Sequence, residues 1–406
     1  AAFAILRHIY SGRAHGDLLD TKRRDFLGTL GSASPGDWQK GAVFGADPSF
    51  TSKWDWTRIR ALISPRDTAY RPGPRQHDVD PFNCDQGFYG QRWGEQPPLV
   101  LTDREVKRDL APPPPPPEGS PAYEAALREV RAVGRLFGTA ADPRRTQGQT
   151  DVGVFWAYDG ARLIGTPPRL YNQIVLAVAR RDGLSGPELA RLLALCNLAM
   201  SDAGIVCWHA KYLWKVWRPV LGIRYHPRSP DPTWTPLGVP RTNRPYPAAQ
   251  PVLSTVELSQ NILGGGTTAR AIAQKQACAP NLDPVYAAAA FTPNFPAYPS
   301  GHSIFGAACF EALRRVRGER AATRLAPDRV DLDVVSDELN GTAIDNFRNE
   351  PRPRRVVRFA TTEDMIRKNS DSRAYLGVHW RFDMTEGDVC GKDIARTVHG
   401  RAYRRA

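Results

Sequence analysis

Paired cysteines are missing from this chain. Its six cysteines stand far apart, at 84, 196, 207, 278, 309 and 390, with no CxxC among them, so neither a zinc ribbon nor a dense disulfide framework is encoded. Cys196, Cys207, Cys309 and Cys390 fall in apolar stretches of helical character, where a free cysteine acts as a small hydrophobe. Zinc-finger spacings, RNA-reading aromatic motifs and long basic runs are absent too, which argues against a nucleic-acid partner even though the net charge is +13. Lysine is scarce, occurring only at 22, 40, 53, 107, 211, 215, 275, 368 and 392; arginine carries the charge, and the summed field suits small anions. No apolar run approaches the roughly 20 residues that cross a bilayer, from which a soluble protein with no membrane partner is expected. The opening AAFAILRHIY has no basic region ahead of a long apolar core, so compartment stays open. Convincing strands are also few.

What is present is a 406-residue chain, 41% hydrophobic and 24% charged with both signs mixed, enough to bury a large core. Residues 1 to about 110 are rich in Trp, Pro, Gly and Asp, as in KWDWTRIRAL and RPGPRQHDVDPFN, and read as short helices and ordered loops. Six prolines from Pro112 to Pro117 favour an extended polyproline connector. Ser120 then Pro121 open a helix as N-cap and first residue. Further helical stretches follow in TPPRLYNQIVLAVARRDG, in a long apolar run over roughly 187–217, in STVELSQNILGG and TTARAIAQKQACA, and in HSIFGAACFEALRRVRG. The last two span TTEDMIRKNSDSRAYLG and MTEGDVCGKDIARTVHGRAYRR. The 187–217 run is apolar nearly all round for its first five turns, as the central helix of a bundle would be. The fold class expected is mainly α, a helical bundle with long ordered loops and few strands. Residues 1–111 form an N-terminal segment packing on the core, 112–120 a connector, and 121–406 the helical-bundle domain that holds the candidate catalytic residues.

Three clusters concentrate unusual residues. In KYLWKVWRP, seven residues at about 100° each put Lys211 and Arg218 within about 20° of one helix face, roughly 10 Å apart, and Pro219 sets Arg218 near the helix end. In FPAYPSGHSIFG, Ser300 offers a hydroxyl, Gly301 lets backbone approach a ligand, and His302 begins a helix whose free amides suit an anion. In SDSRAYLGVHWRFD, Arg373 supplies a planar fork of donors. His379 stands four residues before Asp383, a carboxylate that can fix its tautomer. Each cluster alone has an ordinary structural explanation: a solvated cationic face, a plain helix start, a satisfied core histidine.

Together they read Lys, x6, Arg-Pro; Pro-Ser-Gly-His; Ser-Arg, x3, Gly, x1, His, x3, Asp, with all twelve fixed positions in order. This resembles the three-part signature of the superfamily that joins type 2 phosphatidic acid phosphatases and vanadium haloperoxidases. FWAYDG, IGTPPRLYNQIV, NFPAYPSGH, LGVHWRFD and LCNLAMSDAGIVCW are similar to the fungal chloroperoxidase branch. The resemblance runs from about 150 to 400 and leaves the first 110 residues unmatched.

The resemblance implies vanadate as cofactor. His379 would bond the vanadium, while Lys211, Arg218, Arg373, the Ser300 hydroxyl and the Gly301 amide hold the oxygens. His302 is implied as the acid–base group and Lys211 as the group that polarises bound peroxide. Asp159 is implied as the carboxylate paired with the site arginine and Asp383 as support for His379. Trp208 and Phe295 are implied as the aromatic halide side, where algal bromoperoxidases carry a histidine instead of Phe295. The partners implied are a halide (chloride or bromide), hydrogen peroxide and a small organic acceptor, with the oligomeric state open. The alternative is a soluble acid phosphatase of the same superfamily, in which His379 attacks phosphorus and His302 protonates the leaving alcohol.

Overall fold

The computed structural model describes residues 75–136 (without 79 and 83–87), 145–159, 165–240, 290–320, 326–348 and 350–403. The helices expected over 254–265 and 267–279, Cys84 and Cys278, and most of the 1–111 segment lie outside these residues. The helices described are α1 (Pro121–Val133), α2 (Gln147–Phe155), α3 (Pro167–Arg181), α4 (Gly186–Trp214), α5 (Pro219–Arg224), α6 (Gly301–Gly318), α7 (Thr362–Tyr375) and α8 (Arg381–Arg401). Their starts follow local chemistry. Ser120 caps α1 through the Tyr123 amide with Pro121 at the first position, Thr146 and Gln149 form a capping box at α2, and Thr361 caps α7 through the Asp364 amide. Each such cap contributes about 1 kcal/mol.

Strands are minor, as the sequence suggests: β1 (Val239–Pro240) with β2 (Ala290–Phe291), β3 (Arg329–Val334) with β6 (Val357–Thr361), and β4 (Ile344–Asp345) with β5 (Glu350–Pro351), all antiparallel. Helix α6 is the hub, buried on nearly every side and packed on α8, α4, α7 and α3. Its crossing with α8 is close enough that a Cβ on Gly391 would stand 2.4 Å from the Ile304 carbonyl oxygen, so only glycine fits there. One apolar core gathers Trp156, Tyr171, Phe310 and Phe359; a second gathers Trp217, Trp234, Tyr298 and Trp380. Cys196, Cys207, Cys309 and Cys390 are free and buried, as expected of small hydrophobes.

Two readings of the central helix need correction. Helix α4 ends at Trp214, because Lys215 adopts a left-handed conformation (φ 54°), so Lys211 and Arg218 do not share one helix face; the chain turns between them and Arg218 becomes the N-cap of α5. The fully buried stretch is also the second half, from Asp202 to Trp208, while the first turns are partly exposed. In addition, α4 is long and apolar enough to cross a membrane by length and composition, which the sequence reading denied; 61% of that apolar window is buried inside the protein. Asp202 shows why it sits there: its carboxylate accepts the amides of Leu99, Val100 and Leu101 at 2.7, 2.8 and 2.9 Å, fastening the N-terminal segment across the helix.

Candidate active site

All three clusters meet at the start of α6. Lys211 arrives from the last turn of α4, Arg218 from the turn after it, Arg373 from the end of α7, and His379 from the loop into α8. Gly377 makes that loop possible: its φ is +72°, and a Cβ there would lie 2.6 Å from the Gly134 carbonyl oxygen. Ser300 is the N-cap of α6, and its own amide donates to the Asp383 carbonyl at 2.9 Å. Lys211, Arg218, Ser300, Arg373 and Asp383 are completely buried, with His302 and His379 nearly so.

The hydrogen bonds set the protonation states. Nδ1 of His379 lies 2.8 Å from Oδ2 of Asp383, and Nε2 lies 2.8 Å from Nη1 of Arg218. A carboxylate accepts and a guanidinium donates, so Nδ1 carries the hydrogen and Nε2 presents a lone pair to the cationic side. Burial, then the fields of Arg218 and Lys211, hold the His379 pKa well below its ordinary value, which keeps the ring neutral. His302 Nε2 is 3.0 Å from the Trp156 carbonyl oxygen, an acceptor only, and 3.4 Å from Arg373 Nη1, a donor only; the shorter contact assigns the hydrogen to Nε2. Its Nδ1 faces Asp159 Oδ1 at 3.7 Å. Burial and then Arg373 push His302 down to about 3, leaving a neutral base at neutral pH.

Arg373 clasps Asp159 with both oxygens, at 2.9 and 2.8 Å. Burial works to raise the Asp159 carboxyl, but Arg373 and His302 outweigh it and the pKa falls. Arg218 donates Nε to the Phe295 carbonyl at 2.9 Å and Nη1 to that of Val378 at 2.8 Å; burial lowers its pKa, yet a guanidinium stays charged at neutral pH. Lys211 spends its three donors on the carbonyls of Pro296, Ala297 and Pro299 at 2.8, 2.9 and 2.5 Å, and burial brings its ammonium down to about 7. Phe295 lies against both cations, 5.1 Å from Lys211 and 4.9 Å from Arg218, and its ring packs 5.1 Å from that of Trp208.

Two charged donors are left over. Nη2 of Arg218 and Nε of Arg373 are buried without a partner in the protein, a costly state unless an anion completes them. Gly301 adds its amide at the first position of α6, where no intrahelical acceptor exists, and the nearest atoms to a Cβ there are 3.7 Å away. Among the described residues no three His, Cys, Asp or Glu side chains are grouped so that they could hold a metal ion. The site is therefore built for a compact oxyanion met by one neutral imidazole, not for a bare divalent cation held by several acidic ligands.

Sequence reasoning missed several contributors. His77, buried to 1% exposure, feels both Arg218 and Lys211, and the Tyr89 ring packs on Trp208 and Phe295 at 6.4 and 6.2 Å. Both come from the unmatched N-terminal segment, where no spacing announces them. The Trp156 carbonyl and Asn294 lie inside quoted stretches, but a backbone acceptor and a lone amide give no motif.

The pattern of the second helical-bundle domain of VCPO matches residues 191–406, about half of the chain. The chain belongs to the vanadium chloroperoxidase family. It is 35% identical over 325 residues to the vanadium chloroperoxidase of Curvularia inaequalis, covering 73% of this chain and 45% of that one, so it spans under half the length of that relative. Two solved structures share the fold. A bacterial vanadium-dependent iodoperoxidase aligns with a TM-score of 0.54 at 20% identity, covering 87% of this chain and 66% of that one. The holo form of a bacterial vanadium-dependent chloroperoxidase aligns at 0.52 and 14% identity, covering 95% and 77%. The site described above falls inside the family's second bundle except for Asp159, the Trp156 carbonyl, His77 and Tyr89.

Proposed function

We propose that this chain is a vanadium-dependent haloperoxidase that oxidises chloride or bromide with hydrogen peroxide to a hypohalous acid or its equivalent, halogenating a small organic acceptor. The observation that carries the proposal is the pair of unpartnered guanidinium donors of Arg218 and Arg373 beside the lone pair of His379 Nε2. That donor set suits vanadate: a neutral imidazole nitrogen would bond the vanadium, and the guanidinium donors would give its oxygens charge-assisted hydrogen bonds worth about 1.5–3 kcal/mol each.

His379 would supply the nitrogen, with Asp383 holding its tautomer. Arg218, Arg373, the Ser300 hydroxyl and the Gly301 amide would hold oxygens, and Lys211 would join them by exchanging one of its three carbonyls. When bound, vanadate activates hydrogen peroxide towards nucleophilic attack by halide. His302, neutral at working pH, takes a proton from the incoming peroxide at Nδ1 while Nε2–H stays on the Trp156 carbonyl. Asp159 lies within reach of the imidazolium that forms. Lys211 directs positive charge at the reacting oxygen. Trp208 and Phe295 exclude water from the side where halide approaches, and an aromatic Phe295 favours chloroperoxidase-like chemistry.

The test adds orthovanadate to apo protein and follows bromination and chlorination of monochlorodimedone with peroxide, beside hydrolysis of p-nitrophenyl phosphate. Vanadate-dependent halogenation is expected. Brisk phosphate hydrolysis with no vanadate-dependent halogenation would replace this reading with that of a phosphatase.

A further inference from the structure

Between Trp156 and Asp159 the chain makes two contacts with the site. The Trp156 carbonyl takes His302 Nε2 at 3.0 Å, and the Asp159 carboxylate takes Arg373 Nη2 on both oxygens, at 2.9 and 2.8 Å. This segment follows the end of α2, and within it the Tyr158 amide donates back to the Trp156 carbonyl at 2.8 Å. Tyr158, which lies between the two contacts, is completely buried. Its phenol reaches a residue 179 positions away, donating to Asp337 Oδ2 at 3.1 Å and accepting the Asp337 amide at 2.9 Å.

Asp337 is a firm anchor. It opens the one-turn helix Asp337–Leu339, whose next residue, Glu338, is fully buried and ion-paired with Arg352, and whose last, Leu339, lies in the apolar core. Arg169 Nη2, from the first turn of α3, stands 3.1 Å from the same Oδ2. The turn also packs on α2, so the phenol is not what brings the two elements together. It acts just past the end of α2, where helical hydrogen bonds no longer fix the backbone.

The consequence for the site runs through Arg373. A guanidinium is planar and rigid, so the direction of Nη2 towards Asp159 also sets the direction of Nε, the donor left buried without a partner. Successive Cα atoms are about 3.8 Å apart, and a shift of Tyr158 therefore carries Asp159 with it. We infer that Tyr158 is a positioning residue which, pinned by Asp337, holds Asp159 where it aims Arg373 at the bound oxyanion. This rests on the functional reading for the identity of that anion, but inorganic phosphate can stand in for vanadate in its test.

The experiment measures binding of phosphate and of orthovanadate to the full-length apo chain by calorimetry, with melting temperatures alongside. The proteins are the parent, Tyr158→Phe, Asp337→Ala, Asp337→Asn, Asp159→Asn and the Tyr158→Phe/Asp159→Asn double variant. Tyr158→Phe keeps the ring and loses the pin, and is expected to weaken both anions at least fivefold. Asp337→Ala, which leaves the phenol only the backbone amide, is expected to weaken them at least threefold. Asp337→Asn keeps a side-chain oxygen for the phenol and should bind closer to the parent than to Asp337→Ala. In the Asp159→Asn background Tyr158→Phe should cost no more than a further twofold, because the residue it acts through is already altered. A purely structural role would lower the melting temperatures without this pattern of rescue and non-additivity.

The inference is overturned if Tyr158→Phe weakens binding less than fivefold, if asparagine at 337 does not rescue, if the changes at 158 and 159 add, or if the parent binds neither anion. Should Tyr158→Phe fail to fold, or Asp159→Asn bind too weakly to measure, the pair at 337 decides: a threefold or greater loss in alanine that asparagine restores supports the inference, and any other result overturns it. Parent protein that binds phosphate but never halogenates with vanadate would sink the proposed activity and leave this inference to the variants.

Discussion

Asp383 holds His379 from the first turn of the helix that His379 precedes: Oδ2 takes the imidazole Nδ1–H at 2.8 Å and the Trp380 amide at 2.9 Å. One carboxylate oxygen thereby caps α8 and fixes the imidazole tautomer. Replacing Asp383 by Ala is expected to weaken orthovanadate binding by about 10–100-fold, the usual cost of losing the group behind a ligating histidine. Calorimetry on apo protein checks it, and an affinity within threefold of the parent would show that the tautomer is held by something else.

Arg373 is expected to be irreplaceable by lysine. Its Nη2 alone meets both oxygens of Asp159, while Nε is left unpartnered and buried; only a planar guanidinium can hold two such separate donors in fixed directions. Arg373→Lys should lose roughly 1.5–3 kcal/mol of anion affinity, the worth of one charge-assisted bond, which is about 10-fold or more. Equal phosphate affinity in the lysine variant would mean that the free Nε does not face the anion.

These residues also show how far the sequence could be read. The cradle was legible because its parts are motif residues: Ser300 and His302 had to lie at a helix start, and Asp383 had to reach His379. The reason given for Lys211 and Arg218 was nevertheless incorrect. Periodicity carried one helix across both, whereas Lys215 turns left-handed and the two cations meet through a chain reversal. Side chains tied down by backbone carbonyls, as Lys211 and His302 are, escape any spacing argument, because every residue offers a carbonyl. The N-terminal wall, His77 and Tyr89, owes its place to contacts made across more than a hundred residues of chain, which no local pattern records.

Asp388 gives a pH dependence that does not involve the site ligands. It bonds the Ser370 hydroxyl at 2.6 Å, and burial raises its carboxyl to about 8. With the folded pKa above the unfolded value of about 3.9, the folded state holds the extra proton between these pH values, so this group costs stability as pH rises from about 4 to 8. Asp388→Asn, which mimics the protonated form, should melt close to the parent near pH 4 and progressively above it up to pH 8, by about 2–4 °C for each kcal/mol. A difference that does not change with pH would mean that Asp388 is ionised throughout.

Gly377 should tolerate no side chain. An alanine there would need a φ of +72° and would place Cβ 2.6 Å from the Gly134 carbonyl oxygen and 3.0 Å from Cβ of Pro236, neither of which is a flexible side-chain end. The backbone conformation alone costs about 1–3 kcal/mol, and the collision must add to it by moving α1 or the 377–379 loop. Since Val378 offers its carbonyl to Arg218 and His379 follows directly, movement of the loop separates the imidazole from the guanidinium. Gly377→Ala is therefore expected to lose roughly 3 kcal/mol or more in urea unfolding and to lose anion affinity in whatever fraction remains folded. A variant within 1 kcal/mol of the parent, or one that is destabilised yet binds orthovanadate normally, would show that the loop and the site are not coupled through this glycine.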